Sequence, residues 1–176
     1  MTKLRVLTVP DPILRQKALP VRSVDDEILK LMDDMLEVMY DGGIGLAANQ
    51  VGSLKRVLVV DIRENSYDEE VENADLYPLC IANPEIIESS EEMEELEEGC
   101  LSLPDQRIMV IRPVSIKLRY LDRDNKQQEL FADGLLARVI QHEMDHLDGK
   151  LLVDYLSKMK KDIAMRKLTK LKKISA

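Results

Sequence analysis

The chain has 176 residues, of which 45% are hydrophobic and 33% charged, and its formal net charge at pH 7 is -8. This length and composition predict one globular domain with a buried core, and an aromatic content of 3% without Trp predicts that the core is aliphatic. No apolar run approaches the roughly 20 residues of a membrane-spanning helix and no secretory signal opens the chain, so we expect a cytoplasmic protein.

The first predicted helix follows a proline-rich start. Pro10, Pro12 and Pro20 keep the first twenty residues extended or turning. Ser23, with Asp26 three residues later, is typical of a helix N-terminus. Apolar residues then recur at helical spacing and predict a core helix, which ends near Gly42: Ile28, Leu31, Met32, Met35, Leu36 and Met39.

Strands are predicted from residue 56 onward. The β-branched run 56–61 is typical of a strand, and the alternation from Val114 to Tyr120, followed by turn residues at 122–125, predicts a hairpin with 126–131. Residues 64–98 contain fourteen Asp or Glu and no Lys or Arg, which we interpret as a solvated loop and strand edge. The order of elements predicts a single α+β domain over residues 1–176, with antiparallel sheet around a central helix.

A later helix is expected to carry the chemistry. Asp133 can cap its start, and Gly149 is placed to end it. Leu135 and Val139 fall on the same helical face as His142, so an apolar patch is expected to continue from that histidine.

The pattern His-Glu-x-x-His at residues 142–146 predicts a metal site. Residues four apart lie on one face of a helix, so His142 and His146 can bind one metal while Glu143 reaches a metal-bound water. Two surface histidines on a polar helix are the alternative interpretation. The compactness of the pattern favours the metal site.

A third protein ligand is expected, because catalytic sites of this kind combine three ligands with one open position. The chain has no third His, and no Glu follows the motif, so the downstream ligands of common zinc peptidases are absent. Asp148, Asp154 and Asp162 are candidates, but Cys100 is the better one, because its thiolate would complete a Cys-His-His set. The alternative for Cys100 is a small buried hydrophobic residue, which is the commoner role of a lone cysteine. Cys80 is interpreted as a small buried hydrophobic residue, and we expect no disulfide between the two cysteines.

The C-terminal segment predicts a basic helix. Residues 157–176 contain eight Lys or Arg and one acidic residue. Such a helix can dock on the domain or on an anionic partner through apolar residues at near-helical spacing: Leu156, Met159, Ile163, Leu168 and Leu171.

Three segments resemble, in order, the signature motifs of the peptide deformylase family. They are Gly-Ile-Gly-Leu-Ala-Ala-Asn-Gln at 43–50, Glu-Gly-Cys-Leu-Ser at 98–102 and Gln-His-Glu-Met-Asp-His at 141–146. The resemblance covers nearly the whole chain and includes a basic C-terminal helix like that of Gram-negative forms. It implies a metal-dependent hydrolase that removes the formyl group from the N-terminal formyl-methionine of new polypeptides and releases formate.

The resemblance also implies residue roles. One divalent metal, physiologically Fe2+ with Zn2+, Ni2+ or Co2+ as substitutes, would be bound by Cys100, His142 and His146. Glu143 would be the general acid/base as metal-bound water attacks the formyl carbon, and the Gln50 amide and the Leu101 N–H would stabilise the oxyanion. The implied substrate contacts are Gly43, Ile44, Gly45, Leu96, Glu98, Gly99, Leu135, Arg138 and Val139. Arg138 departs from the apolar residue expected at its position.

Two other functions are considered. A metalloendopeptidase would use the same helix but cleave internal peptide bonds. A non-catalytic ribosome- or RNA-associated protein would use the cations between Lys158 and Lys173, which can neutralise phosphates. The resemblance favours nascent formyl-methionyl polypeptides as partners, together with ribosome docking through the basic helix, and neither DNA nor a membrane.

Overall fold

The structure is a computed structural model that describes residues 3–65 and 73–175. Its helices and strands are α1 (Asp26–Met39), β1 (Gly45–Ala47), β2 (Val57–Val60), β3 (Leu79–Ser89), β4 (Met93–Cys100), β5 (Leu103–Pro113), β6 (Ser115–Leu121), β7 (Gln127–Asp133), α2 (Gly134–Leu147) and α3 (Lys158–Ser175). None of the helices in the described ranges combines the length and apolarity that a bilayer span requires.

The strands form two antiparallel sheets. The larger sheet has the order β1-β2-β3-β6-β7, and β4 pairs with β5 in a separate hairpin. Alternate residues of β2 face opposite sides, so Leu58 and Val60 pack in a cluster with α2, whereas Val57 and Val59 pack in a cluster with α1. The predicted α+β fold, with antiparallel sheet around a central helix and an aliphatic core, is confirmed.

Several predicted elements match the structure. The predicted hairpin is formed by β6 and β7, which pair from Ser115 with Asp133 to Leu121 with Gln127. The acidic segment, predicted to be a solvated loop and strand edge, matches only in part, because it includes β3, an interior strand whose first residues are buried. The glutamates of β3 and those of β4 up to Glu97 are exposed, and residues 66–72 of the segment lie outside the described residues.

Two predictions about helix ends need correction. The cap of α1 is Asp25 rather than Ser23, because the Asp25 side chain accepts the backbone N–H of Ile28 at 3.0 Å. Asp133 holds the N-cap position of α2, but its side chain accepts no hydrogen bond there. Gly149 follows the end of α2 with φ +75°, as expected for a glycine that ends a helix.

The apolar face predicted for α3 is also wrong in part. Ala164 and Leu168 are buried in a cluster with β5, whereas the side chains of Met159 and Ile163 are 74% and 59% exposed. The buried residues of this helix lie in its middle, so the apolar periodicity at its start does not correspond to a packed face.

Candidate metal centre and active site

Cys100, His142 and His146 converge in the structure. Cys100 ends β4, and the two histidines lie one turn apart on α2. Their donor atoms all lie within 4.8 Å of one another, and Cys100 Sγ is 3.2 Å from His146 Nε2. Among the described residues these three form a group that could bind a metal ion, as the sequence predicted.

The aspartates considered as alternative ligands lie elsewhere. Asp148 forms an ion pair with Arg56 at 2.9 Å, and Asp154 forms one with Arg15 at 2.6 Å. Asp162 is exposed on α3. The structure therefore favours Cys100 as the third donor.

Glu98 connects the centre to β5. Its Oε1 lies 2.9 Å from His142 Nδ1, and both of its oxygens accept hydrogen bonds from Arg112, at 2.7 and 2.9 Å. Burial alone would raise the pKa of Glu98, but the hydrogen bonds from His142 and Arg112 outweigh it and lower the pKa to about 2. These contacts orient the His142 ring with Nε2 towards the other donors, so they favour a positioning role for Glu98 over the substrate contact expected from the sequence.

Glu143 is buried beside the donors with one oxygen unsatisfied. Its Oε1 is 3.9 Å from His142 Nε2, and its Oε2 has no hydrogen-bond partner. Burial raises the pKa of Glu143 to about 7. A Cβ on Gly45 would lie 2.8 Å from Glu143 Oε1 and 2.7 Å from Val139 Cγ1, so the glycine lets β1 pass directly over this carboxylate.

The residues present fit a divalent metal. A thiol and two imidazoles are the donor types that bind zinc and other borderline cations, and a fourth position is left for solvent or substrate. Burial lowers the pKa of His146 well below its usual value, so this ring is neutral, as a ligand must be. Burial would also lower the pKa of His142, but the charges of Glu143 and Cys100 and the hydrogen bond with Glu98 raise it, so the surroundings favour a positive charge at this point.

Gln50 and Leu101, predicted to stabilise an oxyanion, lie next to these donors. The Gln50 Oε1 accepts the Ala47 N–H at 2.9 Å, which fixes the orientation of the amide. Its Nε2 therefore points to the centre, where it donates to Ser102 Oγ at 3.0 Å and lies 3.5 Å from Cys100 Sγ. Leu101 follows Cys100 directly and lies against the 43–45 segment, because a Cβ on Gly43 would be 2.8 Å from Leu101 Cδ1.

The predicted substrate residues come from three segments around this centre. Gly43, Ile44 and Gly45 lead into β1, Leu96 and Gly99 lie on β4, and Leu135 and Val139 lie on α2. Leu96 and Leu135 are exposed by 43% and 40%, and their role as pocket walls stays a prediction. Arg138 is different, because its buried guanidinium binds Glu98 and two backbone carbonyls of the β4–β5 hairpin.

Arg112 is a residue beside the metal donors that the sequence reasoning missed. It binds Glu98 and also donates to Asp145 Oδ2 at 2.9 Å, so it links the hairpin to α2. A signal was present in the sequence, since Arg112 continues the inward alternation of Ile108 and Val110. A charged residue in such a register needs a buried partner.

The fold and the donor set together define a metal-binding hydrolase. A helix that presents two histidines and a glutamate beside a cysteine, with a fourth position open, is typical of metal-assisted hydrolysis. This class is narrowed by comparison with known proteins.

The family model for polypeptide deformylase matches residues 3–162. Peptide deformylase 1 of Rickettsia conorii is 56% identical over 98% of this chain and 98% of its own length. The peptide deformylase of Rhizobium meliloti is 47% identical over 97% of this chain and 94% of its own length. The crystal structure of peptide deformylase from Ehrlichia chaffeensis has a TM-score of 0.89 at 43% identity and covers 99% of each chain.

The chain belongs to the polypeptide deformylase family. It is accordingly an enzyme, a metal-binding hydrolase.

Proposed function

We propose that this chain removes the formyl group from the N-terminal formyl-methionine of newly synthesised polypeptides and releases formate. The observation that carries the proposal is the buried, unpaired oxygen of Glu143 beside the Cys100, His142 and His146 donors, in a chain of the deformylase family.

The donor set supports one Fe2+ per chain, with Zn2+, Ni2+ or Co2+ as substitutes. Cys100 supplies a soft thiolate whose negative charge partly neutralises a divalent cation, while His142 and His146 supply imidazoles that suit iron and zinc alike. When bound, such a metal supplies a Lewis acid that activates water and polarises a carbonyl.

Glu143 is proposed to be the general acid/base. It would accept a proton from the attacking water and return it to the amine that leaves. Its buried carboxyl, with a pKa raised to about 7, can hold or release a proton near neutral pH.

Two N–H donors are proposed to stabilise the charge that develops on the formyl oxygen. Gln50 would use its side-chain amide, which Ala47 already orients towards the centre. Leu101 would use its backbone N–H. Each donor placed in advance lowers the barrier without reorganisation at the moment of reaction.

The substrate backbone is proposed to pair with Ile44 and Gly45. Strand β1 lies at the edge of the five-stranded sheet, so the side of β1 away from β2 can accept an extended peptide as a further strand. The methionine side chain would then lie between Leu96 on β4 and the apolar residues of α2, Leu135 and Val139.

Anaerobic formate release from a formyl-methionyl peptide, with the bound metal quantified, tests this function. The Glu143→Ala variant should bind metal normally but release no formate, while Glu27→Ala, an exposed position on α1, serves as the matched control. Turnover by Glu143→Ala would reject the proposed role. Cleavage of internal peptide bonds by the wild-type protein would favour the endopeptidase instead.

We also propose that the protein acts in the cytoplasm as one domain over residues 1–176, and that it docks on the ribosome through α3. The exposed Met159 and Ile163, next to the lysines of this helix, support a contact with an anionic surface that has apolar patches. Salt-dependent ribosome binding should disappear when residues 158–176 are deleted, with formate release retained. Binding unaffected by the deletion would exclude the helix.

A further inference from the structure

The β4–β5 hairpin forms one wall of the site, yet its position relative to α2 depends on side chains. Within the described residues it shares no strand pairing with the five-stranded sheet. Besides the contacts of His142 with Glu98 and of Gln141 with the Pro113 carbonyl, two arginines connect it to α2. Arg112 of the hairpin donates to Asp145 of α2 beside the metal donors, and Arg138, from the preceding turn of α2, donates to Glu98 of the hairpin.

Arg138 binds the hairpin at three points. Its Nη1 donates to Glu98 Oε2 at 2.6 Å and to the Val110 carbonyl at 3.0 Å, and its Nη2 donates to the Glu94 carbonyl at 2.7 Å. Leu96 lies between Glu94 and Glu98 along β4 and pairs with Val110 on β5. The three hydrogen bonds therefore surround the residue that is expected to line the pocket from the hairpin side.

The acceptors of Arg138 indicate that it holds the hairpin backbone in place and does not only balance the charge of Glu98. A residue that only compensated the charge of Glu98 would need one contact with its carboxylate, but two of the three acceptors are main-chain carbonyls on different strands. A planar guanidinium can bind acceptors in several directions at once, whereas an ammonium on a flexible stem cannot hold them in one fixed plane. With Arg138 only 8% exposed, solvent does not compete for these bonds.

We propose that Arg138 is a positioning residue that sets the width of the methionine pocket by fixing Leu96 relative to Leu135 and Val139. The inference rests on the proposed function, because the pocket concerned is the one assigned there to the methionine side chain. In this arrangement the charged head of Arg138 faces the hairpin rather than the substrate, which explains how a cation is accommodated at a position where an apolar residue was expected.

The test compares Arg138→Met and Arg138→Lys with the wild type on formyl-methionyl and formyl-phenylalanyl tripeptides. Arg138→Met keeps most of the volume but loses all three bonds, so KM for the methionyl substrate should rise about tenfold, the net worth of one or two hydrogen bonds. We expect kcat to change by less than about threefold, because the reacting groups are untouched. The preference for methionine over phenylalanine should fall, and Arg138→Lys should lie between Arg138→Met and the wild type.

The controls separate this role from a structural one. Arg119→Met, at a half-exposed position on β6, is the matched control, and bound metal and the unfolding midpoint are measured for each variant. If Arg138→Met does not fold, Arg138→Gln takes its place, because glutamine keeps one N–H donor group on a side chain similar in size to methionine.

Two results would overturn the inference. The first is unchanged KM and selectivity in a folded variant. The second is a loss of bound metal and a lower kcat at constant KM. That result would mean that Arg138 supports the metal ligand His142 through Glu98 and does not set the pocket width. If the metal-loaded wild type releases no formate, the proposed function itself fails. That measurement needs only the wild-type protein, so it is distinguishable from a failure of the inference about Arg138.

Discussion

Replacing Glu98 with Gln is expected to weaken metal binding by about 10- to 100-fold, the usual cost of removing a partner that orients a ligand. Glu98 Oε1 lies 2.9 Å from His142 Nδ1, and its two oxygens accept bonds from Arg112 and Arg138 at 2.6 to 2.9 Å. A glutamine has one acceptor oxygen, and its amide N–H groups would face guanidinium N–H groups.

The same change should destabilise the metal-free protein. A pKa lowered from 4.5 to about 2 corresponds to roughly 3 kcal/mol of interaction with the ionised carboxylate. That figure agrees with the ~3–5 kcal/mol that is lost when one partner of a buried ion pair is removed. Because the folded-state pKa of Glu98 is depressed, this stabilisation is present above pH 4.5 and decreases as the pH falls towards 2.

Chelator competition gives the metal affinity, and urea unfolding of the apoprotein gives the stability. Glu97→Gln is the matched control, because Glu97 is the next residue on β4 but its side chain is 52% exposed and points to the opposite face. Equal metal affinities for Glu98→Gln and Glu97→Gln would refute the reasoning.

Three further predictions follow from the geometry. Cys100→Ala should lose bound metal, whereas Cys80→Ala should keep both the metal and the rate of formate release. Metal analysis and formate assays of the two variants check this. The reverse pattern would contradict Cys100 as the third metal ligand. Gln50→Ala should lower kcat by about 10²- to 10³-fold with metal content unchanged, the typical effect of one oxyanion donor, and a rate equal to wild type would remove Gln50 from the mechanism. The Asp154→Asn substitution should lower the free energy of unfolding by roughly 1–3 kcal/mol at pH 7. Burial alone would raise the pKa of Asp154, but the hydrogen bonds from Arg15, the Leu151 N–H and Lys161 lower it to about 2. In urea unfolding, the difference in free energy of unfolding between variant and wild type should therefore decrease between about pH 4 and pH 2. A difference that stays constant over this range would contradict a stabilising role of the ionised Asp154 carboxylate.

Periodicity predicted the elements that are built from local pattern. The alternation in β6 and the four-residue spacing of His142 and His146 each reflect the geometry of one strand or one helix, so the sequence was sufficient. The motif around Cys100 located the third donor, although only the fold shows that β4 ends beside α2.

Features that depend on long-range packing could not be predicted in this way. The exposure of Met159 and Ile163 depends on where the body of the domain meets α3. The contacts of Arg112 and Arg138 with Glu98 join residues 14 and 40 positions apart, and no local pattern encodes such partners. The cap at Asp25 shows a smaller limit, because Ser and Asp are both common capping residues and only the structure shows which side chain accepts the Ile28 N–H.

The position of β1 at the margin of its sheet has a consequence for the range of proteins that such an enzyme can process. A ladder of amide and carbonyl groups is common to every polypeptide, so docking by this route does not discriminate among the residues that come after the first. Under the proposed pairing with β1, selectivity is confined to the first side chain and its formyl group. The same proposal lets one catalyst serve nascent proteins whose sequences have nothing else in common.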